Sequence, residues 1–533
     1  VDVASPSAQP SVVEQDVRPP RSRLVLLALI TGAIVSNINL SIANVALPTI
    51  GRDLDATQDD LTAIADAFAL GLASTVLYLG TIGDRYGRKL LFVLGCVLTV
   101  PTSMLAAWAW SPEVLTVGRF LGGIAAALLF PTTLSIIAAL YRGRARVSAI
   151  ALWSGLGGGF AAVGPVVGGW LLQYFWWGSV FLITLPLVAV ALLVGWVVLP
   201  WRAAEEVFPV DHLGGVLSVL GVGGLVLAIE HADRGLDGRE IAYLVISFVA
   251  LAAFFWRQTR APRPLVSLPL AKARTFWVAF VAGAITFGSL IGAMFVGQQF
   301  TQNVLGYEPL VAAAVVLPAA ICTAVFGQVA GRIIVGRGSQ FTFMLGLGAV
   351  AAAFTVMLVT WVSGAAIGWV LLGYALVGTG VGLAATPASR SLMGSVPPSR
   401  GGMGSAFLDL TRDFGGAILQ AIMGALLAGA YAMKIRADLT ALPPDDAAKV
   451  SNETADALTS SFDNATQVAQ QYPDYATQIT SAATEAFTDG KSAAIAIALL
   501  MTVLAMALVL FVFPRKQAEE EYYAKVLSEA EHR

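Results

Sequence analysis

Five ionisable side chains sit inside long apolar stretches of this sequence: Asp66, Arg119, and the group Asp409, Arg412 and Asp413. A charge at the centre of a bilayer costs roughly 2.5 to 3.5 kcal/mol on insertion scales, so such a group is rarely idle. A carboxylate there can take up and release protons, and desolvation sets a proton and a cationic ligand in competition for it. Asp66 is the first candidate for that exchange. A permanent ion pair with Arg119 is the alternative, and would confine it to packing or orientation. Asp409 and Asp413 are four residues apart and so share one helix face, with Arg412 three after the first. They can attract cations, carry protons, or take part in closing a gate.

A second constellation is Gly80 to Lys89, GTIGDRYGRK, which interrupts two apolar runs. Gly80, Gly83 and Gly87 allow sharp turns and close helix approach, while Asp84, Arg85, Arg88 and Lys89 need water or each other. The expectation is a tight, wet loop. Other chemistry finds no residues to carry it. Three scattered histidines (His212, His231, His532) make no metal site. Two cysteines inside apolar runs read as packing residues. No Gly-x-x-x-x-Gly-Lys-Ser/Thr loop is present for ATP-driven pumping. No cofactor, metal or membrane-embedded catalysis is expected, and a net charge of −2 gives no argument for nucleic acid.

The elements that must position these residues follow from composition. The chain is 57% hydrophobic and 12% charged, far more apolar than one soluble core can hide. About fourteen apolar segments approach the ~20 residues needed to span a bilayer, from 24–47 to 491–513. Alternating directions put Asn39, Asp66 and Arg119 about six to nine residues from their outer ends, or ~9 to 14 Å deep, where they can form one polar cluster. Arg21 and Arg23, Arg85, Arg88 and Lys89, Arg142, Arg144 and Arg146, and Arg515 and Lys516 fall on one side; Asp53, Asp55, Asp59 and Asp60 fall on the other. That asymmetry marks the basic side, and both termini, as cytoplasmic. Residues 433–490 mix polar residues with Ala, Leu and Phe at helical spacing. They read as two amphipathic helices in an outer hairpin, with a solvated loop as the alternative. Val1 to Pro20 read as a disordered tail, and 514–533 as a short charged helix.

Several stretches together resemble the major facilitator superfamily, and within it the fourteen-helix drug:proton antiporters of the quaternary-ammonium and multidrug type. GTIGDRYGRK looks like the signature loop between helices 2 and 3. Asn44-Val45-Ala46-Leu47-Pro48 is similar to the NVALP end of helix 1. Arg119 and Gly123 resemble the embedded arginine motif, with Gly122 where a Gln is usual. Gly164-Pro165-Val166-Val167-Gly168-Gly169 resembles the GPxxGG core of the antiporter motif, where glycines pack helices closely and proline bends one. QNVLGYEP (Gln302 to Pro309), Leu317-Pro318, Gly378 to Pro387 and Arg400-Gly401 extend the likeness over nearly the whole span.

The resemblance implies an all-α integral membrane protein with fourteen transmembrane helices arranged 6+2+6. The bundles are 24–199 and 275–513, with an inserted pair in 200–274, cytoplasmic tails 1–23 and 514–533, and the outer hairpin between helices 13 and 14. It also implies export of amphipathic or cationic compounds from a plasma membrane by proton-coupled alternating access. Asp66 stands where some quaternary-ammonium exporters place an acid, with Phe68 for the usual Tyr, and acid-bearing members have a carboxylate near Asp409. Asn39 departs from the usual Asp, and an amide cannot exchange a proton near neutral pH. That departure, with the few buried acids and the hairpin, leaves open a dedicated exporter of lipid or envelope material with an envelope partner. Gln298, Gln299, Asn303, Trp153 and Phe160 line an amphipathic cavity or serve as ordinary polar packing. In the superfamily Asp84 docks near the start of helix 13, and Arg85, Arg88 and Arg412 are expected to knit that inner gate. A second copy of the loop, Gly327 to Arg337, has Gly331 in place of Asp84. It is expected to be looser or fastened by other contacts.

Overall fold

A computed structural model of the chain describes residues 16–201, 209–230, 238–262, 264–442 and 450–531. The expected tail up to residue 15, two stretches flanking the inserted helix at 212–230, and 443–449 of the expected hairpin lie outside the described residues. Every regular element among the described residues is helical, as apolar chains in hydrocarbon require, because only internal hydrogen bonds can satisfy the backbone there.

The first group contains α1 (Ser22–Asp53), α2 (Gln58–Tyr86), α3 (Arg88–Ala107), α4 (Pro112–Leu140), α5 (Gly143–Tyr174) and α6 (Ser179–Val198). A capping box between Thr57 and Asp60 starts α2, and Ser111 followed by Pro112 starts α4. Next come α7 (His212–Glu230) and α8 (Gly238–Gln258), which pack on each other while α7 lies against α2. The last group contains α9 (Arg274–Gln299), α10 (Leu317–Thr360), α11 (Ile367–Gly394), α12 (Gly401–Thr440), α13 (Asn452–Ser460), α14 (Phe462–Gln471) and α15 (Ala476–Val512). A terminal helix, α16 (Lys516–Glu531), follows. Gly338, at φ +87°, breaks α10 into two arms. Eleven helices among the described residues are long and apolar enough to cross a membrane, by length and composition.

Contacts within α1–α6 and within α9–α15 build two helical halves, and the seam between them is α10 and α11 on α5 and α12 on α2 and α4. Large apolar side chains face outward, with Phe248 75% and Phe511 82% exposed, as suits a surface in contact with lipid. Trp108, Trp110, Trp170 and Tyr174 are exposed at the ends of α3 and α5, and Trp196 and Trp201 at the opposite end of the bundle, the two levels where interfacial aromatics gather.

Two expectations change here. GTIGDRYGRK is not a wet loop: α2 runs through Tyr86, α3 starts at Arg88, and only Gly87 lies between them, at φ +115°. Asp84, Arg88 and Lys89 are all buried, because protein groups replace the water their charges need. Region 433–490 is not a simple two-helix hairpin. The flanking helices α12 and α15 run on into it, and the short α13 and α14 pack between them. Tyr431 on α12 donates to the Leu458 and Ser461 carbonyls, and Phe462 meets the Phe487 ring at 6.0 Å, so buried apolar contacts hold the short helices down.

Candidate functional site

At the far end of the first half from the gate stretch, Arg119 is buried between α1 and α2. Its guanidinium donates to three backbone carbonyls: Asn39 at 2.6 Å, Ile64 at 3.3 Å and Ala65 at 3.5 Å. The Phe68 and Phe181 rings flank it at 4.9 and 5.9 Å. Asp66 lies near enough to act on it electrostatically. The expected cluster therefore forms, but the helix 1 contact is the main chain of Asn39. The Asn39 amide turns instead to the Thr184 hydroxyl at 3.4 Å. Arg119 reaches α2 because Gly71 and Gly123 let α2 and α4 touch backbone to backbone; a Cβ on either would collide with the Phe120 or Phe68 carbonyl. Gly122, by contrast, faces the Phe68 ring at 3.5 Å, so the two departures from the family pattern are neighbours.

A second centre lies on the seam between the halves. Arg412 on α12 donates to Asn37 Oδ1 on α1 at 2.9 Å and to Asp413 Oδ1 at 3.3 Å, and stacks over Phe130 of α4 at 4.4 Å. It also acts electrostatically on Asp409, which is 1% exposed. Among the described residues, Asp409 Oδ2 and Asp413 Oδ2 are buried with no hydrogen-bond partner. Buried polar atoms are normally satisfied, so two orphaned carboxylate oxygens beside one guanidinium mark a site able to accept protons or a cation. Trp153 belongs to the wall of this centre, packed on Phe130 at 5.1 Å and donating to Thr133 Oγ1 at 2.8 Å. Nearby, the Ser154 and Ser389 hydroxyls meet across the seam at 3.1 Å.

The gate stretch closes one end of the seam. Both Asp84 oxygens accept from the Gly402 N–H at the start of α12, at 2.8 Å each, a charge well placed against a helix N-terminus. Arg88 binds the same carboxylate at 2.8 and 3.1 Å, donates to the Ser135 carbonyl at 3.2 Å, and reaches the Pro398 carbonyl across the seam. Gly80 makes this possible: a Cβ there would sit 2.7 Å from the Gly402 carbonyl. Lys89 donates to the Trp196 and Leu199 carbonyls at 2.6 and 2.7 Å, holding the end of α6. Two expected members are elsewhere. Arg85 lies over the Tyr86 ring, and Arg412 is eleven residues past the first residue of α12, roughly 16 Å from its start.

The remaining sites divide by element. Gly164 and Gly168 of α5 lie on α1, where a Cβ would collide with Ser41 Oγ and would sit 2.9 Å from Ile42, and Pro165 stands inside the helix between them. Gly169 is half-buried beside them, and Phe160 packs into the same apolar cluster as Ile38 and Ile42. Gln298 and Gln299 end α9, and Asn303 lies in the π-turn Phe300–Val304. All three are half-buried, and neither the Arg119 nor the Arg412 hydrogen bonds reach them.

The sequence profile of the Major Facilitator Superfamily matches residues 29–419. The chain belongs to that superfamily. This facilitator is therefore a multi-pass membrane transporter and not an enzyme. It is 30% identical over 504 residues to "Multidrug efflux pump LfrA" of Mycolicibacterium smegmatis, covering 93% of this chain and 97% of the relative. "Multidrug resistance protein Stp" of Mycobacterium tuberculosis is 28% identical over 425 residues, 79% of each chain. "Methyl viologen resistance protein SmvA" of Salmonella typhimurium is 29% identical, over 78% of this chain and 84% of its own. In structure it is similar to the human organic anion transporter MFSD10 (TETRAN), with TM-score 0.57 and 14% identity over 92% of this chain and all of that one, a likeness of fold.

Sequence reasoning passed over Asn37, Phe130 and the Ser154 and Ser389 pair in this facilitator. Asn37 had a usable signal, an amide within an apolar run two residues from Asn39. The others are ordinary helix residues whose partners become visible only once α1, α4, α5, α11 and α12 are packed.

Proposed function

We propose that this chain exports amphipathic or cationic compounds by proton-coupled alternating access in the plasma membrane, with both termini cytoplasmic. The reading counts fourteen spans as 6+2+6: α1 to α6, the inserted α7 and α8, then α9, the two arms of α10, α11, α12 and α15. It places the helices of 433–490 outside the cell. The observation that carries it is the pair of orphaned carboxylate oxygens of Asp409 and Asp413, set on the seam beside Arg412. A proton or a cationic cargo can satisfy them in turn, and only a site shared by the two halves feels which side is open. Asp66, beside the Arg119 guanidinium, is assigned to the outer ion pair. The names of the relatives support drug cargo, and the basic residues around the gate stretch support a cytoplasmic gate.

The test is efflux of a cationic dye from everted vesicles under an imposed pH gradient. The intact protein is expected to move dye; Asp409→Asn and Asp413→Asn are expected to abolish gradient-driven movement, and Asp66→Asn to keep it. Loss with Asp66→Asn alone would return the coupling role to Asp66. A folded intact protein that moves no dye under either polarity overturns the drug reading, and labelled lipid becomes the next substrate to assay.

A further inference from the structure

The expected match of Gly331 to Asp84 shifts here: the backbone break at Gly338 (φ +87°) answers the one at Gly87 (φ +115°), which sets Gly331 against Gly80 and Val335 against Asp84, so the second gate loop carries no acid. A Cβ at Gly331 would sit 2.8 Å from Ala151 Cβ, and one at Gly327 would sit 2.8 Å from Gly155 Cα. The first arm of α10 thus runs against α5 with almost no side chain between them, as α2 runs against α12 at Gly80 and Gly402. The interface is as close as its counterpart and not looser; there a Cβ at Gly80 would sit 2.7 Å from the Gly402 carbonyl.

The acid nevertheless has a replacement. Just past Gly338, as Arg88 lies just past Gly87, the N–H of Ser339 donates to Glu519 of α16 at 3.1 Å, and the Ser339 hydroxyl donates to the same carboxylate. Glu519 is fully buried and pairs with Arg390 of α11 at 3.3 Å. Lys516, one turn earlier, donates to the Val335 and Gly336 carbonyls at 2.8 and 3.2 Å, and its stem covers Gly338. Tyr523, one turn later, lies on Gly394 and beside Arg390, 5.6 Å from ring to guanidinium. A surface appendage would leave its charges in water. This helix instead spends a buried carboxylate on the end of α11, where the Met393 carbonyl accepts from Arg146 of α5 across the seam at 3.2 Å. The start of α5 is held from the other tail, where Asp16 Oδ1 accepts from the Arg144 and Ala145 N–H groups at 2.6 and 3.3 Å.

We propose that Glu519 is a positioning residue of the second cytoplasmic gate, the acid of that gate loop supplied by the C-terminal helix. By fixing the break in α10 and the end of α11 it presents Met393 to Arg146 and keeps the two halves shut at that end. The idea rests on export by alternating access, but its test does not require transport to be seen.

The experiment uses the full-length chain with Cys96→Ser and Cys322→Ser, and Ser389→Cys as a reporter buried on the seam. A membrane-impermeant maleimide is applied from the gate side. Glu519→Gln is expected to raise the labelling rate about tenfold or more, as loss of charge-assisted hydrogen bonds shifts the open fraction. Glu519→Asp is expected to restore part of the protection. Ser339→Ala, which removes the hydroxyl donor to Glu519 and leaves the carboxylate and Arg390 in place, is expected to raise labelling as well, so a Glu519→Gln protein that fails to fold still leaves a decisive variant. Unchanged labelling in folded Glu519→Gln, or in Ser339→Ala if the first does not fold, overturns the proposal. Increased labelling in a protein that moves no dye would leave this inference standing and remove the drug reading alone.

Discussion

Arg119 and Arg412 are both arginines among helices of a membrane protein, and they are held in opposite ways. Arg119 gives its donors to main-chain carbonyls of α1 and α2, groups that cannot change protonation or rotate away. Arg412 gives its donors to side chains, Asn37 on one half and Asp413 on its own, with Asp409 beside it. The first arrangement is a strut within one half. The second is a junction between halves, whose partners can titrate, turn or exchange for a ligand. An embedded arginine is therefore no sign of coupling by itself; what it donates to separates the two roles.

The comparison breaks most readily at Arg119. Arg119→Ala removes the hydrogen bonds of a charged donor to the Asn39, Ile64 and Ala65 carbonyls and is expected to cost about 3 kcal/mol, the upper end for a hydrogen bond to a charged group. Its readout is loss of monodisperse protein in detergent and a lower Tm. Should that variant stay as stable as the parent, the strut reading fails.

Arg412→Ala should do the reverse. The two carboxylates left behind can neutralise by protonation, so the fold survives, while gradient-driven efflux falls at least about tenfold. Full transport in this variant would place the coupling site elsewhere.

A smaller effect is expected from Asn37→Ala, which removes one hydrogen bond to a charged group, about 1.5 to 3 kcal/mol of local interaction. Transport should weaken without vanishing, and the pH dependence of dye efflux should move, since Arg412 is then free to lean on Asp409 and Asp413. An unchanged pH profile would reduce Asn37 to packing.

The smallest effect is at Gly122. A Cβ there makes ordinary contact with Phe68 at 3.5 Å, so Gly122→Ala should leave Tm and efflux within error. Gly123→Ala, one residue on, drives a methyl into the Phe68 carbonyl and should destabilise strongly. Equal behaviour of the two would mean that α2 and α4 do not approach as closely as Arg119 requires.

Much of this was written in the order of the residues. The apolar runs, their lengths and the basic bias fixed the class and most helix positions, because hydrocarbon admits few alternatives to a helix of about twenty residues. The ionisable residues were equally visible, since any charge stands out against such runs. What the sequence left undecided was each charge's partner. Asp84 meets Gly402, Arg412 meets Asn37 and Arg146 meets Met393, pairs hundreds of positions apart that exist only because glycine-lined helices cross closely. The burial of Asp84, Arg88 and Lys89 inverted the expected wet loop for the same reason. Composition decides that a charge in hydrocarbon must find a partner; only the packed helices decide which partner, and so whether the charge braces one half or joins two.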